Sequence, residues 1–454
     1  MKKIFTLAFA LAATGLFAQD AAAAAPVVDT GNTAWMLIST ALVLLMTPAG
    51  LALFYSGLTQ NKSVLNTIGM SYVAMCTGFV TWVVIGYSLA FSGTDLSAGD
   101  SPWIGNLDWA MLSGIMPTDL IAGYNFPRLA EVAFQGTFAA IAVAIVSGSI
   151  IERVKFSTWV IFSVLWVVVV YSPIAHWVWG MFDSHPFGID MDFAGGTVIH
   201  INAGIAGLVV SLMIGKRIDL QEQRFPSSIK LMILGSALLW FGWIGFNGGS
   251  AYGANGQAAS AVMVTIFAAA VSGLVWLMIE WFIIKKPTLI GLASGVVSGL
   301  VGITPAAGFV DVTGALFIGL GAGVVGYLGV VKLKEYLGHD DTLDAFGMHG
   351  LVGIFGALMT GIFANPAVSG NVTGEGGKLI YAGVLYGNSG QLLTQLTYTG
   401  ATIVFSAIGT FIVFKIAQLL TKGGRINEKL ELEGMDIGYH GEKQITIDPS
   451  NINN

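Results

Sequence analysis

The sequence is poor in charge and almost free of cysteine. Lys, Arg, Asp and Glu make up 10% of its 454 residues, against roughly 25% in a soluble domain. A soluble fold of this size could not cover its surface with so few polar groups. Nucleic acid is not an expected partner, and no cofactor is expected. The single cysteine, Cys76, excludes a disulfide framework or a cysteine-based metal site within one chain. It lies in an apolar run and is expected to be a small buried residue. The net charge of -6 says little, because charge placement matters more than the sum in a membrane protein.

Apolar residues and glycine are abundant. The chain is 55% hydrophobic and holds 60 glycines. In lipid, small residues let helices approach closely enough for dispersion contacts to hold them together. The expected fold class is an all-α integral membrane bundle. A spanning helix needs roughly 20 apolar residues, and such stretches fall at 34–57, 65–91, 130–151, 157–177, 194–215, 229–250, 258–284, 288–306, 312–332, 345–364 and 391–418. Ahead of them, Lys2 and Lys3 precede an apolar stretch from Ile4 to Phe17, too short to span, followed by small residues up to Ala25. This pattern predicts a cleaved signal peptide over 1–25 and an external mature N-terminus. The expected organisation is then a transmembrane domain over 26–420 and a polar cytoplasmic tail over 421–454.

Charge placement tests that count. Lys62, Arg153, Lys155, Lys216, Arg217, Arg224, Lys230, Lys285, Lys286, Lys332 and Lys334 all fall at predicted inside loops, and only Arg128 and Lys378 at outside ones. A missed or invented helix would make the basic residues change sides after the error. They do not, which supports about eleven spans with the C-terminus inside.

An internal repeat joins two of the spans. His200-Ile-Asn-Ala-Gly204-Ile-Ala-Gly207 and His349-Gly-Leu-Val-Gly353-Ile-Phe-Gly356 both read H-x-x-x-G-I-x-G. Five helices separate them, so the copies run in opposite directions. An inverted 5+5 repeat of this kind places its site at the repeat interface near the midplane. Ionisable groups inside a membrane are costly and usually mark a pathway. His200 and His349 are therefore the candidate pore pair. His176 is expected to be structural, His185 and His339 lie in loops, and His440 lies in the tail. Two histidines without a mid-membrane carboxylate or thiol fall short of the three or four ligands a metal centre needs, so the chain is not read as an enzyme and no metal site is expected.

Aromatic residues mark a second candidate site. Phe134 and Phe138 share one helix face, as do Phe246 and Ser250. Trp177 and Trp179 fit an interfacial aromatic belt, whereas Phe138 and Phe246 lie within the hydrocarbon depth. Ring faces attract a small cation, and Ser250 offers an acceptor for an N–H donor. Asp192, Asp311 and Asp344 precede helices and are expected to cap them, with Asp192 also lending negative potential to an outside mouth.

These residues together resemble the ammonium transporter family, which includes bacterial Amt, fungal Mep and Rh proteins. The segment from Asp192 through His200 and Gly207 to Arg217 is similar to the family signature. Further matches are Ala133–Phe138, Pro173–Trp179, Gly242–Ser250, Gly302–Pro305, Asp344–Gly350 and the tail segment Glu433–Glu442. Gly248 and Thr137 stand where many bacterial members have Ala and Ser. The resemblance implies ammonium bound at Phe138, Trp179 and Ser250, gating by Phe138, Phe246 and Phe134, and pore lining by His200 and His349. It implies support from Asp192, Trp243 and Thr304. It also implies a homotrimer in the cell inner membrane, with a PII-type signalling protein as cytoplasmic partner. The alternatives are an ammonium sensor acting through that partner, or a general gas pore passing carbon dioxide.

Overall fold

The structure is a computed structural model that describes residues 27–95, 98–180, 189–220, 225–370 and 379–443. The predicted signal peptide, His185, Arg224 and Lys378 lie outside the described residues. Among those described, ten helices are long and apolar enough to cross a membrane. They are α1 (Thr30–Leu58), α2 (Asn61–Phe91), α3 (Arg128–Ser147), α4 (Phe156–Trp179), α5 (Gly196–Ile214), α6 (Ile229–Gly249), α7 (Gly256–Ile283), α9 (Val312–Leu333), α10 (Phe346–Phe363) and α11 (Gly390–Leu420). A shorter apolar helix, α8 (Leu289–Ile303), lies between α7 and α9. Each of the eleven predicted stretches therefore contains one apolar helix.

Side-chain caps set several of the starts. Asp29 accepts the Asn32 N–H ahead of α1, Ser228 that of Leu231 ahead of α6, Asn255 that of Ala258 ahead of α7, and Asp311 that of Gly314 ahead of α9. Each cap pairs a backbone donor that the first helical turn leaves without a partner. Asp311 thus does what its position predicts.

The bundle is inverted relative to a soluble protein. Leu37, Ile38, Leu274, Phe282, Phe317, Ile408 and Phe411 are exposed, while Asn202, Asn247, Gln395 and Glu131 are buried. Lipid accepts apolar side chains on the outside, and polar groups must find partners inside. Cys76 follows the same logic. It is exposed rather than buried, because an apolar run in a membrane protein does not say which face meets lipid.

Helix α3 is the central element, buried along almost its whole length and packed on α1, α2 and α5. Helix α6 packs on α1, α7 on α8 and α9, and α11 on α5 and α10. At one crossing a methyl group on Gly204 would collide with the backbone of Gly350, and one on Gly353 would lie 3.2 Å from His200 Cβ. The repeated glycines thus bring the two histidine segments into direct contact, as small residues do in membrane helix pairs.

Charge concentrates at the end carrying the predicted inside loops. Arg217 bonds both Glu152 and Asp340, at 2.6 and 2.7 Å, and Arg153 donates to Thr342 Oγ1 and the Gly215 carbonyl. Burial alone would raise the Asp340 carboxyl. The Arg217 hydrogen bonds and the Arg153 charge outweigh it and hold the group well below the usual carboxylate range. The tail folds back onto this end. Arg425 pairs with Glu431 at 2.8 Å, and Asp436 accepts the N–H groups of Leu65 and Asn66 at the start of α2.

Candidate functional site

His200 and His349 each sit on a π-helical turn, Gly196–Ile201 opening α5 and Phe346–Leu351 opening α10. Such turns are frequent at functional sites, although this bundle also has them elsewhere, at Met46–Leu51 and Val167–Tyr171 among others. The two rings are 22° from parallel, and their Nδ1 atoms lie 3.2 Å apart. Two neutral imidazoles satisfy that contact when one donates and the other accepts. His200 Nε2 is buried with no hydrogen-bond partner among the described residues.

Neighbours fix the His200 ring. Trp243 lies parallel to it within 20° at 5.5 Å between centroids. Trp243 Nε1 donates to Thr304 Oγ1 at 2.8 Å, and that hydroxyl donates to the Leu300 carbonyl at 2.7 Å. Trp243 and Thr304 therefore set the plane against which the histidine packs. His176 is separate. It is buried and bridges the Ala90 and Ser101 carbonyls, as a structural histidine would.

Phe246 connects the histidines to the aromatic cluster. It stacks 6.0 Å from His200 on one side and 4.3 Å from Phe138 on the other. Phe138 lies 4.6 Å from Phe134 and 6.1 Å from Trp179. Phe138, Trp179 and Ser250 line a cavity of about 280 Å³ together with Phe91, Tyr124, Gln135, Phe193, Tyr252 and Tyr381. Ser250 Oγ donates to the Phe246 carbonyl at 2.8 Å, which leaves its lone pairs for another donor. Beyond the histidines, His349 lines a narrow apolar cavity with Phe54, Tyr55 and Trp243. Its free volume of about 10 Å³ suits one molecule the size of water.

Asp192 is 4% exposed. Its Oδ1 accepts from Gly195 and Gly196 and its Oδ2 from Thr197 and Val198, at 2.6–3.0 Å. Its own carbonyl accepts Trp179 Nε1 at 2.8 Å. One residue thus ties the start of the His200 turn to the tryptophan of the aromatic cavity.

Asp344 corrects an expectation. It does not cap α10: it has φ 62° and pairs with Lys334 at 2.7 Å. The Phe346 N–H goes instead to Asp341 Oδ2 at 2.8 Å. Carrying the histidine repeat eight residues towards the N-terminus aligns Asp341 with Asp192. That extension finds Asp341, which the shorter motif hides. Gln135, Tyr252, Tyr124 and Tyr381 carry no local signal, because the vestibule gathers them from segments distant in sequence.

A model of the Ammonium Transporter Family matches residues 34–445. The chain belongs to the ammonium transporter family. It is 46% identical to an ammonium transporter of Aquifex aeolicus over 95% of this chain and 97% of that protein. It is 42% identical to the ammonium transporter Amt1 of Archaeoglobus fulgidus over 92% and 99%. The crystal structure of Saccharomyces cerevisiae Mep2 superposes with a TM-score of 0.79 at 34% identity, covering 88% of each chain. Membership in this family of multi-pass membrane transporters agrees with the helical, lipid-facing fold. The aromatic cavity, the phenylalanine pair and the two histidines form one continuous series of contacts.

Proposed function

We propose that this ammonium transporter family member binds ammonium in the aromatic vestibule, strips its proton there and passes ammonia along the paired histidines. Phe138, Trp179 and Ser250 are the binding residues in this reading. Phe138 and Phe246, backed by Phe134, are the gate, and His200 and His349 line the pore. The observation that carries it is the stacked Phe138–Phe246 pair, which stands between the vestibule and the histidines. A bare cation leaving water for such a passage faces a large desolvation penalty, idealised at tens of kcal/mol. Ring faces give only about 0.5–2 kcal/mol each, enough to hold an ion at the mouth and too little to carry it through.

Ammonium differs from potassium in one respect that matters here. The two match closely in size and charge, and a filter of carbonyl groups passes potassium. Only ammonium can leave its charge behind as a proton. The histidine pair then offers neutral ammonia a hydrogen-bonding strip in an otherwise apolar passage, and relays the released proton. Asp192 supports this by holding the His200 turn and Trp179. Trp243 and Thr304 support it by fixing the His200 ring.

The test is flux and current in liposomes carrying the full chain. Ammonium and methylammonium are expected to cross and potassium to be excluded. Potassium flux equal to that of ammonium would overturn the mechanism, as would carbon dioxide as the preferred cargo. The same reading places the protein in the cell inner membrane as a homotrimer, with its signal peptide removed and a PII-type protein docking at the cytoplasmic end. N-terminal sequencing and the mass of the detergent-purified complex test the processing and the assembly.

A further inference from the structure

Gln135 is a vestibule residue to which the mechanism above gives no task. It lies on α3 between Phe134 and Phe138 and lines the cavity beside Phe138, Trp179 and Ser250. The residue is buried, its Nε2 donates to the Tyr252 hydroxyl at 2.8 Å, and its Oε1 has no partner among the described residues. Buried polar atoms nearly always find a partner, so an orphan acceptor on a side chain that lines a cavity calls for a reason.

The reason lies one bond behind the wall. Tyr252 donates to Glu131 Oε1 at 3.3 Å, and Tyr87 donates to Glu131 Oε2 at 2.5 Å. Both Glu131 oxygens accept here, so the Tyr252 hydroxyl proton points to Glu131 and its lone pair faces Gln135. Only the NH₂ side of the amide can serve a lone pair, so Oε1 is left on the other side. Arg128 donates to the Tyr87 hydroxyl at 3.3 Å and keeps a positive charge near the carboxylate. The Tyr252 ring is boxed edge-on by Tyr124 and Phe126, both at 5.6 Å, and by Phe134 at 6.5 Å. Its backbone has φ 58°, a left-handed conformation that a non-glycine residue keeps only where its surroundings over-determine it, often at ligand sites.

We infer that Gln135 is a further ammonium-contacting residue, its Oε1 accepting one N–H of the ion, and that Glu131 acts through Tyr252 as the positioning residue that keeps this oxygen available. The inference rests on the vestibule being the ammonium site. The rings attract the ion without giving its N–H groups a direction. Ser250 Oγ supplies one directional acceptor and Gln135 Oε1 a second, so two of the four N–H donors are satisfied by oriented oxygens.

The test is the concentration dependence of ammonium flux in liposomes carrying the full chain. Gln135→Leu is expected to raise the half-saturating concentration by about tenfold or more, as for one lost hydrogen bond to a charged group. Maximal flux should stay within about twofold, the signature of lost binding rather than lost transfer. Tyr252→Phe keeps the ring and removes the relay, and is expected to raise the same concentration severalfold. Glu131→Gln, which can donate as well as accept, falls between Tyr252→Phe and the unmodified protein. If Tyr252 acts through Gln135, the double variant is no weaker than Gln135→Leu alone. Multiplying effects would overturn the positioning role, and an unchanged half-saturation in Gln135→Leu would overturn the contact. Should Gln135→Leu fail to fold, Gln135→Met keeps the length and removes the acceptor, and must raise half-saturation for the contact to stand. Trp179→Leu and Ser250→Ala, measured alongside, separate the two claims. If they raise half-saturation and Gln135→Leu does not, this inference alone fails. If none of the three does, the vestibule reading fails with it.

Discussion

Asp192 precedes His200 by eight residues, and Asp341 precedes His349 by the same interval. In each copy the residue three places after the aspartate has positive φ, 111° at Gly195 and 62° at Asp344. Each histidine then lies on a π-helical turn. The anchoring differs. Asp192 spends both oxygens on four backbone N–H groups. Asp341 uses Oδ2 on Phe346, and its Oδ1 has no partner among the described residues. The left-handed residue is a glycine in the first copy, where it costs little, and an aspartate held by Lys334 in the second. The repeat thus specifies where the backbone turns and which side chain it presents. It does not specify how each turn is held, and the His200 copy is the more fully satisfied of the two.

The aspartates offer the sharpest way to break this comparison. Asp192→Ala would leave four buried N–H groups unpaired, at about 1–3 kcal/mol each. That sum rivals a typical total stability of roughly 5–15 kcal/mol, so little or no folded protein is expected on size-exclusion chromatography in detergent. Asp341→Ala removes one such bond and is expected to fold with a lowered melting temperature. Equal yields from the two variants would remove the claimed difference in anchoring.

The glycines at the crossing come next. Gly204→Ala drives a methyl group into the Gly350 backbone, which cannot rotate away. Gly353→Ala places it 3.1 Å from Ile201 Cγ1 and 3.2 Å from His200 Cβ and Ile201 N, contacts that a shift of a few tenths of an ångström relieves. Overpacking costs about 1–3 kcal/mol, with Gly204→Ala expected at the upper end and Gly353→Ala at the lower. Thermal unfolding of the two variants checks the order, and a reversed order would mean that the crossing is looser than its geometry.

Much of this fold is legible in the order of the amino acids. Apolar length locates the eleven apolar helices found among the described residues, because lipid penalises exposed backbone more uniformly than water does. The histidine pair is legible as a repeat, and Phe134, Phe138 and Phe246 as helical neighbours. What stays hidden depends on three-dimensional partners. Cys76 faces outward, although its apolar run reads the same as a buried one. Asp344 looks like a cap by position, but the N–H it would serve goes to Asp341. Gln135 and Tyr252 lie 117 positions apart, and no local pattern announces that their side chains meet.

The histidines themselves test whether the copies share one task. Removal of either imidazole takes away a hydrogen-bonding group that neutral cargo would meet, worth about 1–1.5 kcal/mol. His200→Ala and His349→Ala are each expected to lower ammonium flux in liposomes about tenfold. His200→Ala with full, potassium-excluding ammonium flux would contradict a pore role for the pair, and loss in one variant alone would confine the role to one copy.

The smallest effect concerns the left-handed residue of the second copy. Burial pushes the half-buried Asp344 carboxyl up to about 6, against the opposing pull of Lys334 and with help from Asp341. In the unfolded chain the group ionises near 3.9. Below that value it is protonated in both states and its charge costs nothing. Between that value and about 6 the unfolded chain is ionised while the folded group keeps its proton, so stability falls across that window and levels off above it. Asp344→Asn keeps a residue type that tolerates the left-handed backbone and removes the charge. Its melting temperature is therefore expected to match the unmodified protein near pH 4 and to exceed it modestly at pH 8, by less than about 1 kcal/mol given partial exposure. If the unmodified protein instead gained on the variant with rising pH, the Lys334 ion pair would outweigh burial. The second turn would then be anchored as firmly as the first, by charge rather than by hydrogen bonds.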